Sequence, residues 1–296
     1  RQVSRCARTS RGRWRRGRRW GRTGAMAWRT LLQVLAVLVV FVGWLVLQQD
    51  SIIYHPRQLK RPLDLKRLQN QGIHVRELAF STAEGKQKAL AVKFGPVPAR
   101  RLYAVFGGNA MVAREWLSAL LQHGGASWRE LAFVLVDYPG YGASDGKPSQ
   151  AEIVRASVQA VQEARRELGA ALAPDATLGA LGHSIGCAAA LQLAVELRGG
   201  ALALRQVMLS APFTTLAEEA QAMLPFLSVV PVWLIAKLTS RNPWDNVAAL
   251  AKLAVADVPP RVDIIHGTED EIVPFRMGKS LSSHAKDLGL EVTFKR

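Results

Sequence analysis

The stretch TLGALGHSIGCAAALQLAVELRGG, residues 177–200, constrains the fold more than any other. An apolar segment runs directly into Ser184, which stands between Gly182 and Gly186 as GxSxG, and a helix-forming run closed by Gly199 and Gly200 follows. Two glycines flanking a serine between a strand and a helix have a steric reason. The serine occupies a strained turn with its hydroxyl projecting, and a side chain at either glycine collides with the neighbouring strand or helix. Five letters with three fixed are a modest signal alone; the strand before and the helix after supply the required context. Ser184 is therefore the candidate nucleophile.

The rest of the chain repeats this alternation. HVRELAFST and KALAVKFG read as two strands around the turn AEGK, and RLYAVFGG is a short apolar strand entering glycines. Val112, Trp116, Leu117, Leu120 and Leu121 share one helix face that ends at Gly124 and Gly125. LAFVLVDY is a continuous apolar strand of the kind buried on both faces. Ser149 with Glu152 forms a capping box that opens a helix running to Gly169. After the Ser184 helix come LRQVMLSA, an apolar insertion, RVDIIHG, a further helix over RMGKSLSSHAKDLG, and EVTFKR. Strands alternating with helices predict a mostly parallel sheet covered on both faces, with its site at the carboxyl ends of the strands.

The formal charge of +16 looks like a nucleic-acid signal until it is located. Residues 1–25 hold ten arginines and no acid, so 16 − 10 leaves +6 for the remainder. Trp14 and Trp20 among arginines are a pattern that can stack on single-stranded nucleic acid, but no nucleic-acid-binding motif accompanies them, so no nucleic-acid partner is expected. Residues 1–29 read as a basic, disordered leader. LLQVLAVLVVFVGWLVL, residues 31–47, carries no charge, and 30–48 is expected to be a single transmembrane anchor with Trp28 and Trp44 near the two interfaces. Residues 49–72 form a basic linker whose RQLKRPLDLKR can lie on anionic headgroups. The side of the membrane stays open. Cys6 and Cys187 are the two cysteines, which excludes a secreted disulfide scaffold. CxxC, HExxH and EF-hand spacings do not occur, so neither metal nor cofactor is expected.

Acyl transfer needs donors for the oxyanion of its tetrahedral intermediate. The N–H of Ile185 is one candidate. The turn after RLYAVF, containing Gly107, Gly108, Asn109 and Ala110, supplies the other, and Asn109 is taken first with Ala110 next. In IIHGTEDEIVPF, Asp270 lies four residues beyond an apolar strand, flanked by Glu269 and Glu271.

Here the chain resembles the α/β-hydrolase superfamily, whose members carry GxxD followed by a Val-Pro pair at this place. That resemblance assigns the acid role to Asp270. DYPGYGASDGKPS, residues 137–149, is similar to the DYxGYGxSxGxPS signature of single-pass, membrane-anchored α/β-hydrolase domain-containing proteins, a group that includes protein depalmitoylases. IIYHP and the preceding apolar run are similar too. Read instead as a dinucleotide loop, GYGASDG places its third glycine one residue late and opens no helix. The resemblance implies an α/β-hydrolase fold over 73–296, mostly parallel, with helices on both faces and a short apolar cap behind one N-terminal transmembrane helix.

A serine hydroxyl needs a histidine to remove its proton, held by the acid. The superfamily places it after the last strand, here EVTFKR. His183 sits beside the nucleophile, His55 and His74 precede or open the sheet, His123 ends a helix, His266 precedes the acid loop, and His284 falls within a helix. The expectation is a C-terminally truncated domain whose histidine lies in a missing segment, leaving residues 1–296 about a millionfold less active than an intact triad. The insertion APFTTLAEEAQAMLPFLSVVPVWLIAKLTSRNP resembles a cap, in which Met223, Leu224, Phe226, Leu227, Val232, Trp233 and Leu234 make an apolar pocket or a membrane-facing surface. The expected activity is a serine hydrolase, an esterase or thioesterase, acting on acylated protein or lipid at a bilayer. A serine peptidase of the same fold and a non-catalytic membrane-anchored binding protein are the competing readings.

Overall fold

A computed structural model of the chain describes residues 20–59, 73–124, 128–224 and 228–296. The basic leader up to residue 19, Lys60, Arg61, Lys66 and Arg67 of the linker, Gly125, and Phe226 and Leu227 of the insertion lie outside the described residues. The chain divides into two units, Arg1–Leu47 and Gln48–Arg296.

Helix α1 spans Trp20–Ile53, longer at both ends than the expected anchor. Along it Leu31, Leu35, Val39, Phe41 and Trp44 are exposed. No single helix among the described residues is long and apolar enough to cross a membrane; Trp28–Phe41 and Val46–Ile53, with a break between them, reach that length and composition together.

In the second unit eight strands form one sheet in the order β1-β2-β4-β3-β5-β6-β7-β8. β1 (Ile73–Thr82) and β2 (Gly85–Phe94) form the hairpin, and β2 pairs antiparallel with β4 (Leu131–Val136). From there every pairing is parallel, through β3 (Ala99–Phe106), β5 (Leu172–His183), β6 (Leu204–Ser210), β7 (Arg261–Ile265) and β8 (Val292–Lys295). The parallel strands thus open at one common end. β5 begins at Leu172, five residues before the apolar run suggests, because Leu172 pairs with Ala99 ahead of a register shift.

Alternating side chains divide the core. Leu102, Ala104, Phe106, Val134 and Val136 point to one face, covered by α3 (Gln150–Leu168), α4 (Ile185–Leu197), α7 (Asn246–Ala254) and α8 (Phe275–Asp287). Tyr103, Val105, Phe133 and Leu135 point to the other, against Leu117 and Leu120 of α2 (Ala113–His123). Full burial of a Leu, Val or Phe side chain such as Leu102, Val134 or Phe106 contributes about 1.5–3 kcal/mol. The capping box expected for α3 is half made: the Ser149 side chain accepts the Glu152 N–H and Gly169 closes the helix, while the Glu152 carboxylate pairs with Arg155 instead of returning to Ser149. The insertion after β6 folds as two short helices, α5 (Leu216–Met223) and α6 (Val232–Leu238).

Candidate active site

β5 is central, with β3 and β6 on either side, so its carboxyl end lies in the middle of the common opening. The chain leaves it through Ser184 at φ 53 and ψ −121, a conformation that costs a non-glycine residue about 1–3 kcal/mol. Local bonds hold it there: the Ser184 N–H donates to the Ser210 carbonyl at 2.9 Å, and the Ser184 carbonyl accepts the Cys187 N–H at 2.9 Å. The two glycines are required by crowding. A Cβ on Gly182 stands 2.2 Å from the Gly186 oxygen, and one on Gly186 stands 2.4 Å from the Phe106 oxygen and 2.6 Å from the Gly107 oxygen. Ser184 itself is half-buried and not sealed among packed side chains.

The turn after β3 comes against this bend. A Cβ on Gly108 lies 3.5 Å from the Ser184 Cβ and 3.1 Å from the His183 Cδ2, so backbone passes directly beside the hydroxyl-bearing residue. The Tyr138 hydroxyl donates to the Gly107 carbonyl at 2.7 Å, and the Met111 N–H closes the turn on the Gly108 carbonyl at 3.1 Å. Ile185 is the first residue of α4, where a backbone N–H has no partner one turn back. The Asn109 N–H also meets no acceptor among the described residues. The Asn109 side chain, in contrast, is fully engaged with Ile53, His55, Ala110 and Tyr141.

Asp270 follows β7, which β6 separates from β5. Two strand spacings, about 10 Å, separate β5 from β7, and both strands open at the same end of the sheet. Asp270 Oδ1 accepts the N–H groups of Ile272 at 3.0 Å and Val273 at 2.9 Å, which shapes its loop. Oδ2 makes neither of these bonds and lies 3.7 Å from the His266 Nε2. His266 donates that nitrogen to the Val273 carbonyl at 2.9 Å and is buried. Glu269 and Glu271 are exposed on either side.

None of the six histidines hydrogen-bonds Ser184. His183 reaches the Ser210 hydroxyl at 3.3 Å, His284 donates to the Ser280 carbonyl of its own helix at 2.8 Å, His55 is held by Asn109, and His74 and His123 belong to the β1 edge strand and the end of α2.

Residues 105–289 match the model of the alpha/beta hydrolase family, more than half the chain. The chain belongs to that family. It is 31% identical over 157 residues to an uncharacterised protein of Mycobacterium tuberculosis, a match covering 53% of this chain and 49% of that protein. It is 28% identical over 153 residues to a lysophosphatidylserine lipase of Danio rerio, covering 50% of this chain and 38% of the lipase. The chain thus spans about half the length, or less, of these curated relatives. Among solved structures, an esterase of Pyrococcus furiosus aligns with a TM-score of 0.56 at 15% identity, covering 82% of this chain and 86% of the esterase. A carboxyl esterase of Bacillus coagulans aligns with a TM-score of 0.54 at 15% identity, covering 75% and 89%. At these identities the structural likeness concerns the fold.

One feature of the site escaped the sequence reading. Glu219 of α5 is 6% exposed, and its Oε2 has no partner among the described residues. Burial, then the negative charge of Asp270, push its carboxyl up to about 7, with Arg276 opposing. An acid beside an apolar segment was the only available hint. Of the pocket lining and the outward surface expected of the insertion, Met223, Leu224, Trp233 and Leu234 take the outward arrangement, being exposed. Val232, with Thr214, Gln221, Arg276 and Met277, borders a cavity of about 530 Å³ between the insertion and α8. Met223, Leu224, Trp233 and Leu234 thus face outward, while Ile235 of α6 is buried.

Proposed function

We propose that this chain carries the catalytic domain of a membrane-anchored serine hydrolase that cleaves ester or thioester bonds of acylated protein or lipid. The observation that carries the reading is the backbone at Ser184: a strained, glycine-flanked bend that is costly to hold and that presents an alcohol at the common end of the sheet. In this reading Ser184 Oγ attacks the acyl carbonyl as a histidine takes its proton. The N–H groups of Asn109 and Ile185 receive the oxyanion. Collapse of the tetrahedral intermediate, with the same imidazole protonating the leaving group, gives an acyl-enzyme, and water activated by that imidazole releases the acid. Asp270 orients the imidazole through Oδ2. None of the six histidines hydrogen-bonds Ser184 among the described residues, so the reading gives the imidazole its role without assigning it to one of them.

The anchor is supported by the apolar side chains exposed along α1, and the substrate class by the outward apolar residues of the cap and the ester-directed relatives. Lipid bilayer is then the partner surface. A fluorophosphonate probe applied to the full-length protein is expected to label it and to fail on Ser184→Ala; labelling that survives the substitution refutes the nucleophile. Alkaline carbonate is expected to leave the protein in the membrane pellet, and release into the supernatant counts against an integral anchor.

A further inference from the structure

The Asn109 side chain cannot serve substrate because its hydrogen-bonding capacity is already used. Its Oδ1 accepts the His55 N–H at 2.9 Å, the Tyr141 hydroxyl at 2.9 Å and the Ala110 N–H at 3.1 Å. Its Nδ2 donates to the Ile53 carbonyl at 2.7 Å and to the His55 Nδ1 at 2.8 Å. An amide has two donor hydrogens and two acceptor lone pairs, so nothing is left to spend. Burial pushes the Tyr141 phenol up to about 12, which keeps it a donor across the working pH range. These contacts join the turn beside Ser184 to a piece of chain that precedes the sheet altogether.

That piece is itself fixed from several sides. Tyr54 is 1% exposed, donates to the Asn242 Oδ1 at 2.9 Å and accepts the Trp244 indole N–H at 2.8 Å. Arg57 pairs with Glu115, whose other oxygen accepts the Val112 N–H at 3.1 Å at the start of α2. The Arg57 carbonyl accepts the Gly142 N–H at 2.9 Å, and the Leu59 N–H donates to the Gly142 carbonyl at 2.9 Å. A segment of seven residues thus ties together the turn after β3, the loop after β4, the start of α2 and the residues that close the cap. The turn it reaches includes Ala110 at φ 61, a left-handed residue that must be held from outside.

We propose that residues 53–59 form a positioning strap for the oxyanion turn, with Asn109, through its side chain, the residue that transmits it. The inference rests on the hydrolase reading. An oxyanion donor acts only if it stands within hydrogen-bond reach of an oxygen whose charge develops in the transition state. Loosening the turn therefore lowers the rate and leaves ground-state binding alone. This predicts a pattern that general loss of structure does not give.

The test uses the full-length protein and a small aryl ester, with Asn109→Ala and Tyr141→Phe, both of which retain every backbone N–H. Asn109→Ala is expected to lower kcat about 10–100-fold, below the loss from deleting a donor outright, and Tyr141→Phe to lower it about 3–10-fold. KM stays within about twofold in both. Affinity for an alkylboronate, which forms a tetrahedral adduct on serine, falls by the same factor as kcat/KM, while affinity for the product carboxylate does not change. Tyr141→Phe decides the matter if Asn109→Ala does not reach a folded state. Boronate affinity and kcat within twofold of the parent, or a loss expressed in KM alone, overturns the strap and leaves the hydrolase standing. A parent protein without Ser184-dependent turnover overturns both.

Discussion

Replacing Gly186 with alanine probes the geometry on which the site depends. The added methyl lies 2.4 Å from the Phe106 oxygen and 2.6 Å from the Gly107 oxygen, both backbone atoms at the exit of β3. A relaxed carbon–oxygen contact needs about 3.3 Å, so one element must retreat by about 0.9 Å. Neither can swing away as a side chain does, because β3 is paired on both sides and α4 is packed in the core. Overpacking of this kind costs about 1–3 kcal/mol, and at about 2–4 °C per kcal/mol for a domain of this size the melting temperature falls by about 2–12 °C. The displaced atoms adjoin the oxyanion turn, so a shift near 1 Å lowers turnover about 100-fold as well. Calorimetry and steady-state hydrolysis on the full-length protein check both arms. Gly267→Ala is the control: a Cβ there meets nothing within 4 Å, and its stability stays within about 0.5 kcal/mol of the parent. A Gly186→Ala protein that melts within 1 °C of the parent and turns over within twofold refutes the crowding argument.

Other expectations follow from buried groups. Glu219 titrates near 7 in the folded state against 4.5 unfolded, so its ionisation penalises the fold as pH rises through that interval. Glu219→Gln should match the parent below about pH 4.5 and be more stable above about pH 7, by at most about 3 kcal/mol, as read by denaturant titration at both ends; equal stability at pH 8 refutes the burial cost. Tyr54→Phe strands the buried Trp244 indole N–H and should cost about 1–3 kcal/mol in chemical denaturation; no change in midpoint contradicts the bond. Burial raises the Cys187 thiol well above its ordinary value, so in a Cys6→Ser background Ellman's reagent should react only on unfolding. Stoichiometric reaction of the native protein would place that thiol at the surface.

The sheet was legible because its inner strands, such as LAFVLV, are short apolar runs and helices such as α3 carry their own caps, signals that act over a few residues. The bend around Ser184 was legible only in part: Gly182 answers to Gly186 within the same turn, whereas Gly186 answers to Phe106 and Gly107 at the exit of β3. The strap was not. Tyr54 meets Asn242 and Trp244 across nearly two hundred residues of chain, and nothing in IIYHP announces that its carbonyl and N–H groups are bound for Asn109. The role given to Asn109 was incomplete in the same way, since its backbone was weighed and its side chain was not. The insertion was expected either to line a pocket or to face outward, and apolar composition alone does not choose between the two for a short helix. Asp270 came from a resemblance; in its loop Oδ1 accepts two backbone N–H groups and Oδ2 lies 3.7 Å from the His266 Nε2.

The central claim is that the alcohol of Ser184 becomes covalently acylated. Acid quenching of the full-length protein during turnover of a p-nitrophenyl ester, followed by peptide mass spectrometry, tests it directly. The account predicts the acyl mass on the peptide containing Ser184 and its absence in Ser184→Ala. Turnover with that peptide unmodified, or an adduct mapped to another residue, contradicts it.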